Sequence, residues 1–342
     1  MRIGYTIWRR SSLSSLILSP ESPPLNELVD FYVLVFPFLT DGKRVKLADK
    51  PFIPISLMLA HAANMVKKTG KPYWVKVQYH PIPKTLPSGA LPKWWPGYVS
   101  GKGQWFSAVM GKLAGALSRI CTRIVGREPE VVVPAVEIAS LVNELDWNKI
   151  VKDVKDKVDS RVIYGGSFWQ PIRTKYDGLI SWLYKWGWGR WVISSIMKGT
   201  PYENANAQML ADIAYRAKLN CDRMSDLDAI GLSAYFYPSM GTGVDPGKIM
   251  RKYRRWLFSL DYVESALEWA YGLKKELVVS ETGVVYNAPI AHERDAVIRW
   301  FVDSFKVWQD AGIGELVIWD EVQTEWVVEA LKRFRGSRGI SS

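Results

Sequence analysis

Short β-branched and aromatic runs recur along this chain of 342 residues, separated by longer amphipathic stretches. That alternation constrains the fold more than any other feature. Strands divided by helices pair in parallel through right-handed crossovers. The candidate strands are Ile3–Trp8, Phe31–Phe38, Tyr73–His80, Val131–Ile138, Arg161–Trp169, Leu227–Tyr237, Glu276–Ser280 and Glu315–Trp319. Phe31–Phe38 reads FYVLVFPF, a continuous apolar run of the kind that a strand buried on both faces requires. Between the strands, periodicity predicts helices over Pro54–Thr69, Gln104–Val125, Trp147–Val158 and Ala291–Asp310, and a short helix over Pro24–Leu28. In Gln104–Val125 the expected inward stripe is Phe106, Val109, Met110, Leu113, Leu117, Ile120, Cys121 and Ile124. In Trp147–Val158 it is Ile150, Val151, Val154 and Val158. Ala311–Gly314 is the turn into the last strand. Eight such units that close on themselves make a (β/α)8 barrel, which takes about 250 residues. The remaining length is assigned to loop insertions, above all one at 180–226, within a single domain. An open doubly wound sheet would carry a Gly-rich phosphate turn after its first strand, and none is present.

Composition closes off several function classes. The two cysteines, Cys121 and Cys221, make neither a disulfide framework nor a four-thiolate metal site, and they read as buried free thiols. His61, His80 and His292 are far apart and lack metal-ligand spacing, so a structural zinc site is not expected, and the chemistry of the strand-end residues calls for no metal or organic cofactor. No apolar run reaches the roughly 18–20 residues that span a bilayer. The N-terminus is a poor match to a signal peptide because Arg9, Arg10 and several serines break its apolar stretches. A cytoplasmic location is therefore expected, with secretion left open. Asn and Gln number only 14 beside many Lys, Arg and Glu, a composition that points towards a thermophile. The net charge is +11, but the basic residues are scattered. Lys248–Arg255 reads as a solvated helix face and Lys332–Arg338 as a frayed basic tail. No nucleic-acid motif accompanies the charge, so a nucleic-acid partner is not expected.

Barrel enzymes hold their chemistry at the C-terminal ends of the strands. The fourth strand, VVVPAVEIAS, ends at Glu137, and the seventh, ELVVSETGVV, at Glu281. The third ends at His80, the fifth at Trp169 and the eighth at Trp319, while the sixth carries Ser233, Tyr235 and Tyr237. A carboxylate inside such apolar runs is costly unless it is paired or functional. Two of them at a barrel mouth are what a retaining glycosidase needs. One protonates the leaving sugar oxygen and the other attacks the anomeric carbon, with the carboxyls about 5–5.5 Å apart. The competing explanation is that each glutamate is salt-bridged to a barrel Lys or Arg such as Lys76. Lys76 and Gln78 alternate with Val77 and are expected to face the barrel interior.

Glutamates ending the fourth and seventh strands resemble those of the large clan of retaining glycoside hydrolases with (β/α)8 barrels. The chain is similar in particular to glycoside hydrolase family 113, the β-mannanase-like family. The segments that carry this likeness are YVLVFPFLTDG, KPYWVKVQYHP, QWFSAVMGKLAGAL, VVVPAVEIAS, LDAIGLSAYFYP and LVVSETGVV. The resemblance implies hydrolysis of a β-linked oligo- or polysaccharide, with β-mannan as the first candidate. By it, Glu137 is the acid/base and Glu281 the nucleophile, Tyr235 bonds the nucleophile, and His80 contacts substrate. Trp319 is then the platform under the sugar at the cleavage point, since an indole covers the apolar face of a sugar ring. Trp169 and Tyr237 stand at neighbouring strand ends, and Trp105, with Trp94 and Trp95, is placed to form outer subsites.

Two positions depart from that pattern. Val136 stands where the clan carries the Asn that binds the sugar 2-hydroxyl, and Ser233 where family 113 shows Asp. Both favour a second reading, a sugar-binding barrel without catalysis. A third reading, a protein of nucleic acid or anionic surfaces, rests on the net charge alone. The insertion holds Trp182, Trp186, Trp188 and Trp191 and reads as helix packing, a lid or an added subsite, or, with Lys185 and Arg190, a membrane-surface segment.

Overall fold

The computed structural model of the chain describes residues 1–7, 25–40, 45–47, 55–81, 102–136, 144–166, 224–234, 262–284, 292–319 and 324–337. Nine strands lie within them: β1 Arg2–Ile7, β2 Phe31–Thr40, β3 Val45–Leu47, β4 Tyr73–Pro81, β5 Val131–Val133, β6 Arg161–Gly166, β7 Ala229–Ser233, β8 Glu276–Thr282 and β9 Glu315–Ile318. Eight of these form a parallel sheet in the order β1-β9-β8-β7-β6-β5-β4-β2, and β1 also pairs with β2, which closes it into a barrel. The described helices are α1 Ile55–Thr69, α2 Gly103–Val125, α3 Trp147–Lys155, α4 Tyr262–Gly272, α5 Arg294–Asp310 and α6 Thr324–Gly336. The expected (β/α)8 architecture is the one observed. No described helix is long and apolar enough to cross a membrane.

The alternation of side chains along each strand builds two cores. Outward residues such as Leu34, Val75, Val77, Val279 and Leu316 join the helices in one continuous apolar layer. Inward residues make a separate cluster, including Phe31, Val33, Trp74, Val133, Ile163, Val278 and Trp319. The floor of this inner core is aromatic. Phe31 stacks on Trp74 with ring centroids 4.6 Å apart and planes at 18°. It fits only because β1 offers Gly4 there, where a Cβ would lie 2.2 Å from the Phe31 ring.

Charged pairs close the N-terminal end of the barrel. Glu315, nearly buried at the start of β9, accepts from Arg2 at 3.0 Å and from Arg161 at 2.9 Å. Arg2 also reaches Glu130 at 2.7 Å, and Arg161 reaches Glu276 at 3.0 Å. Four of these residues open their strands, so the ring ties five staves of the barrel together.

Several local expectations need correction. Residues 25–28 form one turn, with the N–H groups of Leu28 and Val29 both bonding the Leu25 carbonyl, and not a helix. The fourth barrel strand is only Val131–Val133, because Pro134 cannot donate to the ladder. Its continuation is a single bridge, Val136 to Gly165. In α2, Phe106, Met110, Leu117 and Cys121 are buried as expected and Val109, Leu113 and Ile124 partly so, but the buried face also takes in small residues. Gly111, Ala114, Gly115 and Ser118 are buried, while Ile120 is 53% exposed. The small residues let α3 approach closely, since a Cβ on Gly111 would lie 2.7 Å from the Cβ of Asp153. The basic segment expected to fray is instead helical as far as Gly336. Val327, Ala330, Leu331 and Phe334 of α6 are buried, and Arg335 pairs with Asp30 at 3.0 Å. The short strand β3, antiparallel to β2, is an addition to the expected strands. Its signal was Asp41–Gly42, a hairpin pair directly after the apolar run.

Candidate active site

Glu281 lies one residue before the end of β8, at the C-terminal rim of the barrel, and is 3% exposed. Strict alternation would send it outwards. Val278 is inward, so Val279 and then Glu281 would point to the helices. An extra residue in β8 changes this. Against β7, the pairs Gly231–Val278 and Ser233–Glu281 leave three steps on β8 for two on its neighbour. Against β9, Val279–Leu316 and Thr282–Ile318 show the same excess. This β-bulge re-aims the strand end, as bulges beside functional sites do. It also needs room, and Gly231 supplies it: a Cβ there would lie 2.8 Å from both Cβ and Oγ of Ser280. Cross-strand bonds pin the bulge. The Ala234 N–H donates to the Glu281 carbonyl at 2.6 Å, the Thr282 hydroxyl to the Ala234 carbonyl at 2.9 Å, and the Trp319 N–H to the Thr282 carbonyl at 2.7 Å.

The Glu281 carboxylate meets Lys76. The ammonium bonds Oε2 in a buried ion pair and donates to the Ser280 carbonyl at 3.1 Å. Lys76 is fully buried in the middle of β4. Its Nζ also stands 5.7 Å from the centroid of the Trp319 indole, a cation–π contact. Burying a lysine is costly unless its charge is matched and its donors are used. Here a carboxylate, a carbonyl and an aromatic face do so. The salt bridge weighed from the sequence as the competing explanation is thus present. Gln78, two residues further along β4, is half-buried. The hydroxyls of Ser233 and Ser280 are buried beside Glu281 without a hydrogen-bond partner among the described residues.

Of the other expected site residues, Trp319 is 6% exposed and belongs to the inner core beside Lys76. Trp105 is half-buried in the first turn of α2, against the outer core and edge-on to Phe106 at 4.8 Å. His80 is in β4, its backbone in register with Leu39 of β2. Val136 is buried in the inner core. Glu137, Trp169, Tyr235 and Tyr237 lie outside the described residues, as do Trp94, Trp95 and the tryptophans of the insertion. The group that sequence reasoning cast only as a structural partner is Lys76. Its signal was a lone cation at an inward position of an apolar strand. At the opposite end, a depression of about 380 Å³ is bordered by Arg2, Glu130, Lys155, Arg161 and Asp228, whose charges are paired with one another or with Glu276 and Glu315.

A parallel eight-stranded barrel, with a buried carboxylate turned inwards at its C-terminal rim, defines the class of this molecule. No protein-family model matches the chain, and no curated protein matches it in sequence. Solved structures share its fold. The GH113 β-mannanase AaManA from Alicyclobacillus acidocaldarius, in complex with ManMIm, superposes with a TM-score of 0.59 at 13% identity, over 98% of this chain and 96% of its own. A GH113 β-1,4-mannanase in a complex gives 0.57 at 10% identity, over 99% and 98%. A GH5-4 broad-specificity endoglucanase from an uncultured bacterium gives 0.53 at 10% identity, over 98% and 94%. The fold of this chain is that of the GH113 β-mannanases.

Proposed function

We propose that the protein is a retaining glycoside hydrolase acting on a β-linked oligo- or polysaccharide, with β-mannan the first substrate to test. One observation carries this reading: β8 spends a bulge to turn Glu281 into the barrel at its C-terminal rim, beside Trp319. A carboxylate needed only for packing would not require that distortion. The fold likeness to β-mannanases supports the substrate class.

In this mechanism a Glu281 oxygen attacks the anomeric carbon as the bond to the leaving oxygen breaks. Glu137 gives that oxygen its proton. Water then attacks the same carbon, Glu137 takes the water's proton, and the ester bond to Glu281 breaks, returning both carboxyls to their starting forms. Trp319 borders the sugar at the cleavage point. His80, Trp169, Tyr235 and Tyr237 contact substrate or nucleophile from neighbouring strand ends, and Trp105 borders an outer subsite.

The test is hydrolysis of a panel of β-glycans and aryl β-glycosides. Glu281→Gln is expected to lose turnover. Glu137→Gln is expected to lose about 10²–10⁴-fold on substrates whose leaving group needs a proton. Full activity in both variants would end this reading. A second reading, a sugar-binding barrel without catalysis, is favoured by Val136, which fills its inner-core position with hydrocarbon. Oligosaccharide binding with no hydrolysis across the panel would select it.

A further inference from the structure

Lys76 and Glu281 come from opposite walls of the barrel. In the strand order, β4 and β8 are separated by three strands on either side. Only near the axis can side chains from such strands meet, and the bond between Nζ and Oε2 is made there in full burial. Nζ also holds the carbonyl of Ser280, the residue before Glu281. One ammonium thus grips both the backbone of the bulge and the carboxylate it presents. Fixing Oε2 sets the direction of Oε1.

We propose that Lys76 is the positioning residue for Glu281 and that it acts most strongly when the carboxylate departs from the sugar. The inference rests on the proposed glycosidase mechanism. Its reason is charge. When Glu281 attacks, its negative charge is consumed in the ester, and the buried ammonium loses its counter-ion. In the second step a water oxygen bonds to the anomeric carbon, the bond from that carbon to the Glu281 oxygen breaks, and the electron pair returns to the carboxylate. The ion pair with Lys76 is then restored. A preorganised cation in a water-excluded site stabilises the charge that develops in such a step. Lys76 touches neither sugar nor leaving group in this scheme.

The test uses a dinitrophenyl β-glycoside of whichever sugar the wild-type chain hydrolyses. With so good a leaving group the second step limits turnover. In Lys76→Met, kcat is expected to fall about 10²-fold with KM falling alongside it. Intact-mass measurement should show the glycosyl-enzyme accumulating. Wild-type kcat and KM in a folded Lys76→Met protein would overturn the proposal, as would a loss of kcat/KM with no accumulation. A second comparison removes both buried charges. In the Glu281→Gly background, azide replaces the carboxylate. At saturating azide the rescued rate should be the same with and without the added Lys76→Met change. A rescued rate that falls on losing Lys76 would show that it does not act through Glu281. If the wild-type chain hydrolyses nothing on the panel, the glycosidase reading fails and takes this one with it. If it does hydrolyse, the outcomes above judge Lys76 alone.

Discussion

Glu281 and Lys76, 205 residues apart in the chain, form a buried ion pair inside the barrel. The pair is a stability determinant whatever its catalytic role. Removing one partner deprives the other, still buried, of this ion pair, which costs about 3–5 kcal/mol. Lys76→Met is therefore expected to lower the urea midpoint sharply. Lys76→Met combined with Glu281→Leu should recover most of that loss, since a buried pair replaced by hydrocarbon is often close to neutral. Equal destabilisation of the single and double variants would contradict this account of the pair.

Gly231 should tolerate no side chain. Alanine there places a methyl 2.8 Å from Ser280 Cβ and 3.0 Å from the Tyr164 carbonyl, neither of which is a flexible end. Overpacking of this kind costs about 1–3 kcal/mol. Because the strain falls on the bulge, Gly231→Ala is expected to lose activity beyond its loss of stability. Retention of both in thermal melts and turnover assays would show that the bulge does not depend on this glycine.

At the other end of the barrel, Glu315 is the shared acceptor of Arg2 and Arg161. Its carboxylate is nearly buried while the two guanidinium groups are partly exposed, so the buried-pair cost is discounted for solvent. Glu315→Ala is expected to destabilise by about 1–3 kcal/mol. Glu130→Ala, which breaks an exposed contact with Arg2, should cost less than about 1 kcal/mol. Chemical denaturation of the two variants measures the contrast, and activity should follow stability alone in both.

Burial pushes the Cys121 thiol up to about 12. In a Cys221→Ala chain, Cys121 should therefore resist alkylation until the protein unfolds. The sign of the pH effect follows from linkage. The folded state holds the thiol proton more tightly than the unfolded state, so stability declines as pH rises from about 9 towards about 12. Burial also pushes the Tyr32 phenol up to about 12, and it adds to the same alkaline loss. Replacing Cys121 by Ala should flatten the fall in melting temperature over that range. An unchanged slope would rule the thiol out as a contributor.

Local pattern was enough to read most of this architecture. The apolar runs of β2, β4 and β8 are legible because both faces of a barrel strand are buried. The inward face of α3 is legible because its period is regular: Ile150, Val151 and Val154 are buried as expected. In α2 the period places Phe106, Met110, Leu117 and Cys121 correctly, but packing also selects small residues for a close helix contact and leaves Ile120 outside. The helix α6 is legible from apolar residues at Val327, Ala330, Leu331 and Phe334, although its basic end has the composition of a tail.

The site divides along the same line. By itself the sequence determined that Glu281 ends an apolar strand and that Trp319 ends the next, because strand ends are marked by local composition. It also determined that Lys76 alternates with outward residues. Only the tertiary structure decided which way Glu281 points, because that depends on one extra residue in β8 measured against two neighbouring strands. Only barrel closure brought Lys76 to it, because opposite strands share no local pattern and meet solely through the curvature of the sheet.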